Sequence, residues 1–234
     1  MQHEHTSKQF DTELEGARSR VLQMGGLVEQ QIIHAIEALS EGDTKLAEQV
    51  IENDHRVNAL DVEIDEDCNQ IIARRQPTAG DLRMIMTVIK TVTDLERIGD
   101  EAEKIGRMTK LLYESDQLSM PRFTEIKHMS DLVRDMLRKS LDAFARLDLS
   151  AAAEVVRQDM AVDNEFRSTL RHLITFMMED PRKISMSIEI LFVVKALERI
   201  GDHAKNMAEY VVFMVKGKDV RHVTVEEIEQ EVSK

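Results

Sequence analysis

Between Pro121 and Pro181 the chain contains neither glycine nor proline, and the stretch from Asp43 to Gln76 lacks both as well. These two residues are the strongest local breakers, so tracts of this length without them leave long helices as the main option. The tracts are filled largely by Ala, Leu, Met, Glu, Lys, Arg, Gln and Ile, most of them good helix formers. Aromatic residues make up only 4% of the chain, and alternating β-branched runs are lacking, so strands find little support. The fold class read from this pattern is all-α.

Six long helices are expected. The first runs from about Ser7 to Leu39, bent at Gly25-Gly26, and ends in the turn Ser40-Glu41-Gly42-Asp43. The second runs from about Thr44 to Arg75. The third follows Gln76-Pro77-Thr78, with Thr78 as its cap, and reaches about Tyr113. A polar link from Glu114 to Met120 precedes Pro121, which opens a fourth helix ending near Arg146. Leu147 to Ser150 connects to a fifth helix ending near Glu179. Asp180-Pro181 then opens a sixth, which ends near Lys216-Gly217. Apolar stripes on the third helix (Ile85, Val88, Ile89, Val92, Leu95, Ile98) and the sixth (Ile188, Leu191, Val194, Leu197, Ile200) should face a shared core. The 14 methionines, among them Met84, Met86, Met177 and Met178, are expected as adaptable core filler.

Composition narrows the class further. A hydrophobic content of 42% supplies a core and argues against a disordered chain. No stretch of roughly 18 apolar residues is present, so no membrane-spanning helix is expected. The opening MQHEHTSKQF lacks the basic and apolar regions of a secretory signal. The single cysteine, Cys68, suits a reducing compartment and reads as a buried structural thiol, so a cytoplasmic protein is expected. The net charge of −13, from 31 Lys+Arg against 44 Asp+Glu, argues against nucleic acid as a partner.

The sequence also repeats itself. The hexamer Leu95 to Asp100, LERIGD, recurs as Leu197 to Asp202, an offset of 102 residues, and Ala102 and Ala204 extend the match. Upstream, Asp43, Ala47, Val50, Asp54 and Val57 match Asp148, Ala152, Val155, Asp159 and Val162 at an offset of 105. The second copy is therefore three residues shorter, and the turn before the third or sixth helix is the natural place for the deletion. Six helices with such a period make two tandem three-helix bundles related by an internal repeat. The units are expected at 7–114 and 121–217, followed by a polar tail at 218–234 with one turn of helix around Glu226 to Val232.

Within each hexamer a glutamate and an aspartate lie four apart, Glu96 with Asp100 and Glu198 with Asp202, and so share one helix face. Asn206 continues the second stripe, whereas Lys104 holds the matching place in the first. The second and fifth helices offer Asp54, Asn58, Asp61 and Asp65, and Asp159 and Asp163. Two readings of these stripes stand. Facing carboxylates supply hard oxygen donors suited to Mg, Mn, Ca or Fe. Alternatively, they form a solvated charged face, with Glu96 and Glu198 paired to nearby Lys or Arg. Gly99 and Gly201 sit inside the helices beside the carboxylates, at a cost of roughly 1 kcal/mol each relative to alanine. Either tight helix packing or close approach of a bound group would account for them.

Other motifs do not assemble. Glu52-x-x-His55 and Glu125-x-x-His128 resemble half of a di-iron carboxylate motif but are not equivalent in the repeat. His3-Glu4-His5 reads as a loose terminus, and no nucleophile–base set or phosphate-binding glycine loop is present.

Two LERIGD hexamers in an all-helical chain of this length resemble the PhoU family. The likeness extends to Met24–Gln31, the turn Arg74 to Ala79, Leu141–Leu147, and Val215-Lys216-Gly217 with Arg221-His222-Val223. The family's motif is an acidic residue, an aspartate four later, and often an asparagine four after that. Glu198, Asp202 and Asn206 match it in full; Glu96 and Asp100 match, and Lys104 departs, an ammonium that would compete with a cation. The resemblance implies two three-helix bundles, a homodimer, and divalent or iron-type metal ions on the acidic motifs. It also implies a negative regulator of phosphate uptake and the phosphate regulon. Such a protein would act as an adaptor between the phosphate ABC transporter, through its ATPase PstB, and the sensor kinase PhoR, favouring response-regulator dephosphorylation when phosphate is abundant. The transporter would recruit it to the inner face of the membrane. No catalytic set is evident, so a non-enzymatic role is expected. The alternatives are a carboxylate-bridged metalloenzyme on a helical bundle and a protein bridged by divalent cations to anionic lipid.

Overall fold

In the computed structural model, the structure describes residues 8–114, 124–221 and 223–232. Seven α-helices follow in order: α1 Lys8–Glu41, α2 Thr44–Arg75, α3 Ala79–Glu114, α4 Thr124–Arg146, α5 Leu149–Glu179, α6 Ile184–Lys216 and α7 Val225–Val232. Among the described residues there is no strand. Ser7, most of the link at 114–120, Pro121 as a helix opener, His222 and His3-Glu4-His5 lie outside the described residues. α1 passes through Gly25-Gly26 as unbroken helix.

The repeat is visible in the turns. Gly42 and Leu147 both take a left-handed conformation, φ 71° and 58°. The amides of Asp43 and Asp148 donate to Ala38 O and Ala143 O, both at 3.0 Å. Each aspartate then caps the next helix, Asp43 through Lys45 N and Leu46 N, and Asp148 through Ser150 N and Ala151 N. Glycine adopts this conformation freely, while Leu147 does so at a cost of about 1–2 kcal/mol. The three residues without a counterpart in the second copy are Gln76-Pro77-Thr78, the α2–α3 turn. In their place Asp180 caps a 3₁₀ turn, Pro181–Lys183, which runs into α6.

Each unit packs three helices, α1 to α3 and α4 to α6, and the units join along α3 and α6, with α1 also meeting α4. α3 and α6 run antiparallel. Lys90 lies 5.4 Å from the ring centre of Tyr210 and 5.3 Å from that of Phe213, and Glu101 accepts from Arg199 at 2.8 Å. On the other side, Glu29 of α1 pairs with Arg134 of α4 at 3.9 Å and with Arg138. Arg134 is the counterpart of Glu29 at the 105-residue offset.

The core follows the helical periodicity with two corrections. The α3 stripe is buried, Ile89 partly so, but Ile188 on α6 is 42% exposed. A row spaced only by threes falls behind a 3.6-residue turn by about 60° per step, so its far end leaves the buried face. Met186, Ser187 and Ile190 hold that face instead. Among the methionines, Met24, Met129 and Met136 are fully buried, but Met86 and Met178 are exposed, the latter by 80%. Cys68 is a free, buried thiol, and burial pushes it up to about 12. The segment after α6 is not wholly solvated. Val220 and Ile228 are buried, α7 packs on α5, and Lys218 pairs with Glu231 at 2.7 Å.

Candidate functional site

The acidic residues of α2 and α3 form one surface of the first bundle. Asp54 is buried on α2, where Gln31 Nε2 of α1 donates to it at 3.4 Å and Asn58 Nδ2 at 2.9 Å. Gly99 lies directly opposite, because a Cβ there would come within 3.1 Å of Asp54 Oδ1 and 3.3 Å of Val57 Cγ1. The glycine therefore makes room for the carboxylate of the neighbouring helix. In the second bundle a Cβ on Gly201 would meet Val162 Cγ1 at 3.3 Å and Val133 Cγ1 at 3.5 Å, which is packing alone.

Carboxylates crowd the first surface. Burial raises Asp54, with Glu103 and Asp100 adding to it. Burial and then Asp65 raise Asp61; burial and then Asp100 raise Glu96. Asp100 is raised by burial too, against the pull of Arg97. The charge is only partly offset, since Arg97 lies 3.5 Å from Glu96 and 3.6 Å from Asp100.

The second surface is compensated differently. Lys205 Nζ donates to Asp159 Oδ2 at 2.8 Å, and Lys195 donates to Glu198 at 2.5 Å. Asp163 pairs with Arg167 at 3.6 Å. Asp202 is still raised, by desolvation first and then by Glu198 and Asp159. Lys205 is the repeat counterpart of Glu103, so an ammonium in one copy stands where a carboxylate stands in the other. The ammonium among the acidic residues is thus Lys205 of the second copy. Lys104 turns away to donate to Glu101 at 3.1 Å.

Asn206 also turns away from its expected stripe. Its Nδ2 donates to Asp94 of α3 at 3.3 Å, beside His203 Nδ1, which donates to the same oxygen at 2.6 Å. Asp94 and Glu101 are buried where the two bundles meet, so both third-place residues of the motif serve that junction. Glu96 and Glu198 each have a cationic neighbour, as a charged face would have. Among the described residues, no three His, Cys, Asp or Glu side chains are close enough to hold a metal ion together. The donor chemistry of Asp54, Glu96 and Asp100 suits a hard cation, but their side chains are not gathered on one point. His55 and His128 lie on exposed surface.

Lys205, Glu103, Gln31, Asp94 and His203 were not singled out from the sequence. Extending the 102-residue offset three positions past the hexamer reveals the Glu103–Lys205 reversal. The Asp94–His203 pair has no local signal, since it depends on how the two bundles dock.

Comparison with known proteins fits this geometry. A family model described as the PhoU domain matches twice, over residues 21–109 and 126–211, once across each acidic helix pair. A Pseudomonas putida protein named phosphate-specific transport system accessory protein PhoU homolog is 49% identical over 229 residues, covering 97% of this chain and 89% of its own length. The Escherichia coli K12 protein named phosphate-specific transport system accessory protein PhoU is 45% identical, covering 97% and 93%. The crystal structure of PhoU from Pseudomonas aeruginosa superposes with a TM-score of 0.86 at 48% identity, covering 89% of this chain and 100% of that one. The phosphate transport system regulatory protein PhoU from Streptococcus pneumoniae gives 0.83 at 28% identity, covering 90% and 99%. With the family model spanning both repeats and such relatives aligned along almost the entire length, the chain belongs to the PhoU family.

Proposed function

We propose that this chain is an accessory regulator of phosphate transport, acting as an adaptor between the phosphate ABC transporter and the sensor kinase PhoR. The observation that carries this reading is near-half identity, over 97% of the chain, to proteins named phosphate-specific transport system accessory protein. On this reading it works in the cytoplasm as a homodimer, meets the transporter through PstB at the inner face of the membrane, and favours response-regulator dephosphorylation when phosphate is abundant. No helix among the described residues is long and apolar enough to cross a membrane, so the transporter would supply the membrane attachment. The test is a deletion strain carrying a reporter for a phosphate-starvation promoter. Expression in high phosphate is the expected result, and normal repression overturns the proposal.

The metal reading is part of the same proposal. Asp54, Glu96 and Asp100 of the first copy supply the hard oxygen donors a divalent cation would take, and their side chains would have to converge to hold it, relieving their mutual repulsion. In the second copy Lys205 already supplies positive charge to Asp159. Manganese retained by the purified protein should fall in Glu96→Gln/Asp100→Asn; equal retention refutes the site.

A further inference from the structure

Among the described residues, a cleft of about 350 Å³ lies between the start of α4, the end of α5 and the start of α6. Its walls include Leu173, Met186 and Ile190, all buried, and the half-exposed ring of Phe176. Ser187 also lines it, only 1% exposed, and its hydroxyl has no hydrogen-bond partner among the described residues. Thr169, buried on α5, and Thr124 at the start of α4 are the other hydroxyl residues in the wall.

The first bundle carries different residues at the matching positions. The counterparts of Ser187 and Thr169 are Ile85 and Ile64, both buried, and that of Phe176 is Ile71, only 5% exposed. At these positions the second copy thus has two hydroxyls where the first has isoleucine. A buried hydroxyl without a partner is costly unless something supplies the missing bond. The size and apolar lining, with few polar groups, are those of a small ligand pocket. Among its described lining residues the wall carries Glu125 and His172 and no lysine or arginine, and the nearby ammonium of Lys183 is engaged with the ring of Phe176, 5.1 Å from its centre, so the apolar floor offers an anion no counter-charge.

We propose that this cleft binds a small, neutral, mainly apolar molecule carrying one hydroxyl, such as a phenol, with its body on Leu173, Met186 and Ile190 and its polar group on Ser187 Oγ. The site stands apart from the acidic faces and from the adaptor reading.

The test is a methyl NMR titration of the full chain labelled at Ile, Leu and Met, with phenol and, separately, toluene. Saturable shifts at Leu173, Met186 and Ile190 are expected with both. Ser187→Ala should weaken phenol about fivefold, the worth of one neutral hydrogen bond, and leave toluene unchanged. Thr169→Ile/Ser187→Ile, which installs the first bundle's residues, should remove both. Absence of saturable shifts in the wild type, indicating a cleft filled by water alone, overturns the proposal. So does equal phenol affinity in wild type and Ser187→Ala, a comparison that decides even where the double variant fails to fold.

Discussion

Replacing Glu209 with glutamine should stabilise this protein in mildly alkaline solution and change little in acid. Glu209 lies on α6 with 5% of its surface exposed. Burial is the chief reason its carboxyl is pushed from 4.5 up to about 7; Lys205 opposes the shift, and Asp159 and Asp219 add to it. The folded chain therefore holds this proton more tightly than the unfolded chain does. The resulting stability is fully present below the unfolded value of 4.5 and is lost as the pH rises through about 7. At about 1.4 kcal/mol per pH unit, that interval is worth about 3 kcal/mol. Glutamine keeps the shape and removes the titration. Glu209→Gln should match the wild type below about pH 4.5 and exceed it by about 3 kcal/mol near pH 8, a rise in Tm of about 6–12 °C. The other raised carboxylates titrate in both proteins and cancel in the difference. Urea denaturation of both proteins across this range is the assay. Parallel profiles, or a variant less stable near pH 8, would refute the reasoning, because the ionised carboxylate would then be well served by Lys205.

Other substitutions probe the packing and the charge reversal. Gly106→Ala places a Cβ 3.0 Å from the Ala47 carbonyl oxygen and should cost about 1–3 kcal/mol in thermal or urea melts. Gly26→Ala meets nothing within 4 Å and should gain up to about 1 kcal/mol; the opposite order would contradict the close α2–α3 approach. Ile228→Ala should cost about 2 kcal/mol if α7 is docked as described, whereas an unchanged midpoint would mean it is not. Lys205→Ala should raise the manganese retained on the second acidic face, read by calorimetry, and no gain would show that Lys205 is not what keeps a cation away.

Much of the fold was legible because helix formation here is a local matter. Breaker-free tracts, the turn at Gly42-Asp43 and the two repeat offsets place α2 and α5 closely and locate the missing turn. The Ile188 error shows the limit, since spacing by threes looks amphipathic over two turns and drifts over four. The acidic site was legible as a set of residues but not as an arrangement. Asp54, Glu96 and Asp100 share a surface, as spacing implied. Asn206 and Lys104 were assigned to the same stripes, yet both turn to buried carboxylates at the α3–α6 junction. That choice depends on how one bundle meets the other, and no local spacing encodes it. Gly99 was noticed for its cost, and its reason, the carboxylate of Asp54, lies 45 residues away in the chain.

The ion pair between Glu29 and Arg134 bears on how such a chain recognises itself. In a dimer of identical units, a residue at the two-fold axis confronts its own copy. Two first units meeting this way would oppose glutamate to glutamate, and two second units arginine to arginine, each a like-charge contact that costs free energy. Within one chain the two positions differ, so each half carries the sign the other requires. The halves are no longer interchangeable parts. A second whole chain cannot use this surface symmetrically, because it is already taken by the chain's own second half.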